Sequence, residues 1–462
     1  MTNPFSYGGV VGPSSFCNRE EEIQTLRRTV DNAGRLFLYA ERRMGKTSLV
    51  RRLLGELPDE EYVAAYVDLW PTDGPASFAK AMAKATAEAS STTAEKLLEN
   101  ARTFFFNLRP SVSVDESGAP VLTFGADAPS GTEPEIEEVL AAPAKAAELT
   151  GKRVAVVFDE FQQIATYETG RVERQLRSEI QHHEEVAYLF LGSRRHLIQE
   201  MFLDSKRPLY RSAQHYPLRP IEEAEWQPFI RERFERAGKS IPEPVVSKVC
   251  RITEGHPFYV QHLCHVLWER CEKGDAARAE DVEEAVRILL DRESYAYTAL
   301  WEGLTTNQKR FLLGLAQEST DREEGDVKPF SSDFVSRYRL GSPSSAQRAA
   351  EALMEKDLID RDNSSFVVLD RFFQRWVVRQ HGQRACREAG LEPEGFSEAK
   401  RRRYSAHSLR AGHVTDASSR GAPDNILMMQ TRHADPKTLR KYDRPAQQLE
   451  ESSSAFLGLY QE

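Results

Sequence analysis

Residues 36–50 read LFLYAERRMGKTSLV. Leu36 to Ala40 has the composition of a buried strand, and the loop after it ends in Gly45-Lys46-Thr47. An apolar-periodic stretch then runs from Ser48-Leu49-Val50 through Leu53-Leu54. A strand, a tight loop and a helix start in that order build a phosphate site, because the loop's N–H groups and the helix N-terminus converge on one anion. Gly45 lets the backbone approach closely, the Lys46 ammonium reaches the β- and γ-phosphates, and the Thr47 hydroxyl can ligate Mg²⁺. The pattern G-x-x-x-x-G-K-[ST] asks for Gly at position 40, where this chain has Ala40. Alanine tolerates positive φ less well, so a constrained but intact loop is expected. A chance GKT after a strand is the alternative, and the residues farther along speak against it.

RVAVVFDEFQQI at 153–164 carries the second strong signal. Five buried-strand residues, Val154 to Phe158, end at Asp159-Glu160. A carboxylate at the tip of a strand beside a phosphate loop can hold the Mg²⁺ shell, and the adjacent Glu can polarise an attacking water. A strand that merely ends in solvated acids is the other reading. Tyr62 to Leu69 reads as another strand ending near an acid, and Ala187-Tyr188-Leu189-Phe190-Leu191-Gly192-Ser193 as a buried strand followed by Arg194-Arg195. Residues 75–106 and 137–149 are Ala-rich with helical periodicity between these strands, and 109–124, RPSVSVDESGAPVLTF, reads as a hairpin inserted on the main sheet. Strands alternating with helices predict a doubly wound parallel sheet whose ligands sit at the strands' carboxyl ends. Ser193 or Arg194 then points at the γ-phosphate. Arg211 lies farther on and can stabilise transition-state charge as arginine fingers do; a structural salt bridge is its other reading.

Residues 1–15 are rich in Gly, Pro and Ser and read as an irregular arm. Phe16-Cys17-Asn18-Arg19-Glu20 opens a helix with Ile23, Leu26 and Val30 on one face. That opening either lies over a bound base or is a surface helix cap with Asn18 as N-cap. Residues 222–292 read as helical throughout, broken by Thr253-Glu254-Gly255-His256-Pro257-Phe258-Tyr259, a turn in which Pro257 suits the first helical position.

A chain of 462 residues is too long for one core and implies several domains. Hydrophobic content of 40% with 29% charged residues describes an ordinary globular composition. No apolar run approaches the roughly 18–20 residues of a membrane span, and the first residues lack the basic and apolar regions of a signal peptide. The five cysteines show no CxxC spacing, so reduced thiols and a cytoplasmic location are expected. A net charge of −9 argues against a protein that coats nucleic acid non-specifically.

FCNREEE, GKTSL, FDEFQ, FLGSRRHL and EGHPFYVQ, in this order and spacing, resemble the STAND-type AAA+ ATPases, and among them the prokaryotic ATPases of archaeal and mobile-element type. The resemblance covers about residues 14–380. It implies that Lys46 and Thr47 are Walker A residues and Asp159 and Glu160 Walker B. It also implies that Ser193 or Arg194 is a sensor, and that Gly255-His256-Pro257 is a turn whose Pro packs on the base. Two departures are Ala40 in the loop and Asn18 where many relatives carry Gly, and neither removes a catalytic group. The implied fold is α/β: a P-loop NTPase parallel sheet with helices on both faces, then a helical lid, a winged helix domain and a mostly α tail. The corresponding segments are an arm at 1–15, the ATPase domain at 16–220, the lid at 221–299, the winged helix at 300–380 and the tail at 381–462. ATP and Mg²⁺ are the expected cofactors. Ala40, Arg43, Met44, Gly45, Lys46, Thr47, Ser48, Gly255, His256 and Pro257 are the expected nucleotide contacts, and Thr47 and Asp159 the metal ligands. Lys46, Asp159, Glu160, Ser193, Arg194 and Arg211 form the expected catalytic set.

In the winged helix, Ser342-Pro343 supplies an N-cap and N1 pair for a helix over 342–356, and Leu358-Ile359-Asp360 with Phe366-Val367-Val368-Leu369 supplies two wing strands. Gln347, Arg348 and Lys356 on that helix can enter a major groove. Glu351 and Glu355 on the same helix keep it from being a basic face, so an intramolecular lever or partner surface is the reading adopted.

Residues 383–450 differ in charge: 13 Lys and Arg against 9 Asp and Glu give +4 and leave −13 for the rest. Lys400-Arg401-Arg402-Arg403-Tyr404 is followed by His407 and Arg410, by His433 placed 23 residues after Arg410, and by Tyr442 placed 9 after His433. This pattern resembles the C-terminal third of a phage-type tyrosine recombinase. The resemblance implies that Arg410, His407 and His433 bind a scissile phosphate and that Tyr442 is the nucleophile. The matching earlier half-domain, with its Arg and Lys, is absent. A gene-fusion remnant is therefore the reading adopted, and a DNA-binding accessory the alternative.

Three functions follow: an ATP-hydrolysing switch signalling through its winged helix, a DNA-binding regulator whose nucleotide site only gates shape, or a recombination accessory with an ATPase fused on. Glu160 favours the first over the second, and the missing recombinase half disfavours the third. Self-association on ATP binding and DNA contacts through winged helix and tail stay open, and no membrane partner is expected.

Overall fold

The computed structural model describes residues 2–9, 12, 16–91, 94–105, 110–114, 120–124, 133–168, 170–193, 201–321, 327–362 and 365–382. In chain order the strands are β1 (Arg35–Tyr39), β2 (Tyr62–Asp68), β3 (Pro110–Val114), β4 (Pro120–Phe124), β5 (Arg153–Asp159), β6 (Val186–Gly192), β7 (Gln214–Pro217), β8 (Ile359–Asp362) and β9 (Ser365–Val368). The main sheet has the order β2-β5-β6-β1-β7, and every pairing in it is parallel. Because side chains alternate along a strand, β5 sends Val154, Val156 and Phe158 to one face and Ala155 and Val157 to the other. Both faces are buried, as a parallel sheet requires. On one side the core is closed by α3 (Pro75–Ala89), α5 (Glu133–Thr150) and α6 (Arg171–Ile180), through residues such as Phe78, Leu140 and Leu176. On the other, α1 (Glu20–Asp31) supplies Ile23, Leu26 and Val30 and α2 (Lys46–Glu56) supplies Leu49, Val50 and Leu53.

Register brings the strand ends into line. Tyr39 pairs with Gly192 and Asp68 with Asp159, so the phosphate loop, Asp159-Glu160 and Ser193 leave the sheet at one edge. That edge is where ligands of such sheets bind.

Several sequence expectations are corrected. The 109–124 hairpin forms its own two-stranded antiparallel sheet rather than part of the main one. The Ala-rich 75–106 stretch is helical as expected, in two helices, α3 and α4 (Ala94–Phe104). β7 was missed because Pro217 ends it, and it survives as an edge strand, where the lost N–H breaks no ladder. Asn18 is not the N-cap of α1: Arg19 holds that position at φ 78, and Asn18 Oδ1 accepts from the Glu20 N–H at 3.4 Å.

After β7 come α7 (Glu223–Arg236), α8 (Glu243–Thr253), α9 (Pro257–Arg270) and α10 (Ala279–Arg292), then α11 (Ser294–Glu302), α12 (Thr306–Asp321), α13 (Ser332–Arg337), α14 (Pro343–Glu355) and α15 (Arg371–Val377). The four described cysteines, 17, 250, 264 and 271, are buried and free. The described residues fall into two compact units, one within 1–295 and 354–372 and the other within 296–353 and 373–382. The first unit therefore contains the antiparallel β8–β9 wing. In the second, the Phe311 and Phe334 rings meet at 5.9 Å, and Gly314 gives them room, since a Cβ there would lie 2.7 Å from the Phe334 ring. Among the described residues no helix is long and apolar enough to cross a membrane.

Candidate nucleotide site

The loop between β1 and α2 starts at Ala40, whose N–H donates to the Gly192 carbonyl at 3.3 Å. Ala40 needs no left-handed backbone; that conformation falls on Arg43 (φ 61) and Gly45 (φ 89). The expected intact loop therefore forms, with the strain at Arg43 rather than Ala40. Gly45 is the N-cap of α2 and makes no side-chain cap, which leaves first-turn N–H groups facing the loop. The Lys46 Nζ is buried and donates to the carbonyls of Ala40 at 3.2 Å and Glu41 at 3.0 Å, so its ammonium arches back over the loop.

Thr47 Oγ1 donates to Asp159 Oδ2 at 2.6 Å, and the Tyr66 hydroxyl from β2 donates to the same oxygen. Burial, with the Asp159 charge beside it, pushes the Tyr66 phenol pKa up and keeps it a donor. Asp159 Oδ1 accepts from the Glu160 N–H at 2.9 Å. A hydroxyl and a carboxylate converging at this distance suit a hard cation that keeps several waters, so the residues fit Mg²⁺. Glu160 sits at φ 52, a left-handed conformation that a non-glycine residue holds only when its surroundings fix it. Its Oε2 accepts from Ser193 Oγ at 2.7 Å and from the Gln162 side-chain amide.

A cavity of about 410 Å³ opens onto these groups. Its lining includes Met44, Gly45, Lys46, Thr47, Ser48 and Glu160 from the loop and strand tips, together with apolar Phe16, Ile221, Trp226, Pro257 and Phe258, and Ser6 to Gly9 of the arm. Apolar side chains and loop N–H groups around one cavity suit a molecule with a flat base and phosphates. The Tyr7 ring stacks on His262 at 3.9 Å, which ties the arm to α9 beside the cavity. Cys17 also lines the cavity, and burial raises its thiol to about 12, so it is neutral there.

The expected turn is also in place. Pro257 is the first residue of α9. Gly255 has φ 67, and a Cβ on it would lie 2.3 Å from the Ile221 carbonyl oxygen, so only glycine fits. Its own carbonyl accepts from the Ile221 N–H and from Trp226 Nε1 at 3.2 Å. Buried His256 donates from Nε2 to the Arg42 carbonyl at 3.1 Å. Burial first, and the Arg371 charge second, lower its pKa to about 3.

Lys46, Thr47, Asp159, Glu160 and Ser193 are thus brought together. Arg211 is exposed, lies over the Tyr210 ring at 5.1 Å and does not line the cavity. Arg194 and the recombinase-like His407, Arg410, His433 and Tyr442 lie outside the described residues. Sequence reasoning missed Tyr66, Gln162, the arm residues and a buried ion pair between Glu41 and Arg371. Tyr66, two residues before a strand's final acid, carried a readable signal; Arg371 carried none.

The family model for an ATPase domain predominantly from Archaea matches residues 16–263, and one for a probable winged helix domain matches residues 295–379. No curated protein matches the chain. Among solved structures, the Walker-type ATPase of Pyrococcus abyssi is similar at 15% identity and a TM-score of 0.54, covering 79% of this chain and 97% of that one. The ORC2 protein of Aeropyrum pernix is similar at 15% identity and a TM-score of 0.44, covering 79% and 95%. A STAND protein with a tetratricopeptide repeat sensor from Pyrococcus horikoshii is similar at 13% identity and 0.35, covering 93% of this chain and 53% of that one. The first of these supports the P-loop parallel-sheet fold. The chain belongs to the family of ATPase domains found predominantly in Archaea, and a winged helix domain follows its ATPase domain.

Proposed function

We propose that the chain binds ATP with Mg²⁺ in this cavity, hydrolyses it, and passes its nucleotide state to the winged helix as a switch. The observation that carries this is that Lys46, Thr47 and Glu160 line one cavity at the carboxyl ends of the strands, with Asp159 bonded to the Thr47 hydroxyl and the Glu160 N–H behind them. In this reading Lys46 leaves the loop carbonyls for the β- and γ-phosphates, and loop N–H groups hold the rest of the chain of phosphates. Thr47 and Asp159 are the Mg²⁺ ligands, and the ion when bound neutralises phosphate charge. Glu160 takes the proton of the attacking water. Ser193 and Gln162 hold its carboxylate until the γ-phosphate competes for Ser193. Arg211, which does not line this chain's own cavity, acts as a finger only on a second copy's nucleotide.

We divide the chain as 1–15, 16–220, 221–299, 300–380 and 381–462, with the last segment a fusion remnant. The winged helix acts as a lever in this reading rather than as a DNA reader. Supporting that choice, the Gln347 amide donates to Glu351 at 3.1 Å, which engages one groove-reading candidate with an acid of its own helix.

Calorimetric titration with ATP and Mg²⁺ tests the site. The parent binds, and Lys46→Ala weakens binding about a hundredfold or more, since the buried phosphates lose their close cation. A folded Lys46→Ala that binds as the parent does would place the nucleotide elsewhere.

A further inference from the structure

Glu41, Arg42 and Arg43 fill three of the four unspecified positions of the phosphate loop, and each is gripped from outside it. Arg371 Nη2 lies 3.2 Å from both carboxylate oxygens of Glu41, and both side chains are buried. The same guanidinium places Nε 2.7 Å from a Glu254 oxygen and donates from Nη1 to the Val368 carbonyl. Arg42 Nη2 pairs with Asp357 at 3.2 Å, and its carbonyl takes the His256 hydrogen bond. The Arg43 guanidinium lies 4.3 Å from the Phe258 ring centroid.

Two of these grips come from the ends of one short stretch. Asp357 stands just before the β8–β9 wing and Arg371 just after it, at the first position of α15. Burying an Arg against two acids is not an efficient way to add stability, since desolvation offsets much of the attraction. It does fix geometry. The loop needs fixing, because Arg43 holds a left-handed backbone that persists only when neighbours over-determine it. Glu41 also supplies one of the two carbonyls on which the Lys46 ammonium rests.

We propose that Arg371 is a positioning residue for the nucleotide site: from the root of the wing it fixes Glu41 and so pre-organises the phosphate loop, making nucleotide affinity depend on the seating of the wing. The inference rests on the nucleotide reading above and adds its control. A loop held in its binding form gives up less freedom when ligand arrives. Releasing the grip therefore weakens binding without touching Lys46, Thr47, Asp159 or Glu160.

The test uses the full chain and a fluorescent ADP analogue, with ATP turnover measured alongside. Arg371→Met strands buried Glu41, so Glu41→Gln and the double variant Arg371→Met/Glu41→Gln accompany it; the double removes both charges and keeps the volume. Each single variant should weaken binding about tenfold, as the loss of one charge-assisted contact does. The double should be no weaker than a single variant by more than about twofold, since one bond is being cut. KM for ATP should rise to match while kcat stays within about twofold of the parent, which a merely loosened fold would not give. A folded double variant that binds at parental affinity overturns the proposal, as does a loss that multiplies across the two sites or one confined to kcat. A parent that takes up no nucleotide overturns the nucleotide reading and this inference together; parental binding with unaffected variants overturns the Arg371 assignment alone.

Discussion

Ala40 occupies a position where the phosphate-loop pattern has glycine, and the structure moves the demand for left-handed backbone to Arg43 and Gly45 instead. The loop, its Lys and Thr, and the Asp-Glu pair were legible in the sequence because each is a local arrangement: strand, turn, helix start, strand tip. Arg371 reaches the phosphate loop through the fold, across 330 residues of chain, and one sequence shows no sign of such long-range convergence. His256 is a further case, readable as part of a turn but not as buried and neutral. Its folded pKa of about 3 lies below the ordinary 6.5, so below pH 6.5 the unfolded chain binds more protons than the folded one. Stability contributed by the neutral imidazole is full above pH 6.5 and is lost as pH falls toward about 3. His256→Gln keeps a donor for the Arg42 carbonyl and has no titration. Between pH 7 and pH 5 the parent should lose about 2 kcal/mol more stability than this variant in denaturant unfolding; parallel losses would show that His256 is not held neutral by burial.

At the scale of elements, β1, β2, β5 and β6 were readable because their apolar runs are short, bounded and rich in Val, Leu and Phe, as strands buried on both faces are. β7 was not, since a four-residue edge strand ending in Pro carries neither an apolar run nor alternation. The turn into α9 was readable from Gly255 and Pro257, but not the part played by α7. Trp226 of α7 is fully buried, donates to the Gly255 carbonyl and lines the cavity. Trp226→Ala should cost about 3–5 kcal/mol of stability, as large-to-small core changes do, and weaken nucleotide binding at temperatures where the variant is still folded. Unfolding titrations and binding isotherms at low temperature measure both; a stable variant with parental affinity would remove Trp226 from the site.

The whole molecule joins a parallel-sheet ATPase domain, helices α7–α10 and a winged helix, and that order was legible as a resemblance carried by five motifs. The wing's membership in the first compact unit was not, because nothing in residues 354–372 marks a contact made with the loop at 41. The tail beyond residue 382 lies outside the described residues. Deleting residues 383–462 should leave ATP turnover within about twofold of the parent, since every group assigned to the nucleotide lies before it. A loss of turnover on deletion would make the tail part of the enzyme.

The central claim is that Glu160 activates water at a Mg-ATP site built by Lys46, Thr47 and Asp159. Phosphate release by Glu160→Gln, with ATP binding measured on the same sample, tests it most directly. The variant keeps the shape of the side chain and its contact with Ser193, and loses the base. It should bind ATP within about twofold of the parent and hydrolyse it at least about a hundredfold more slowly, the scale of general-base catalysis. Turnover at the parental rate would contradict the account.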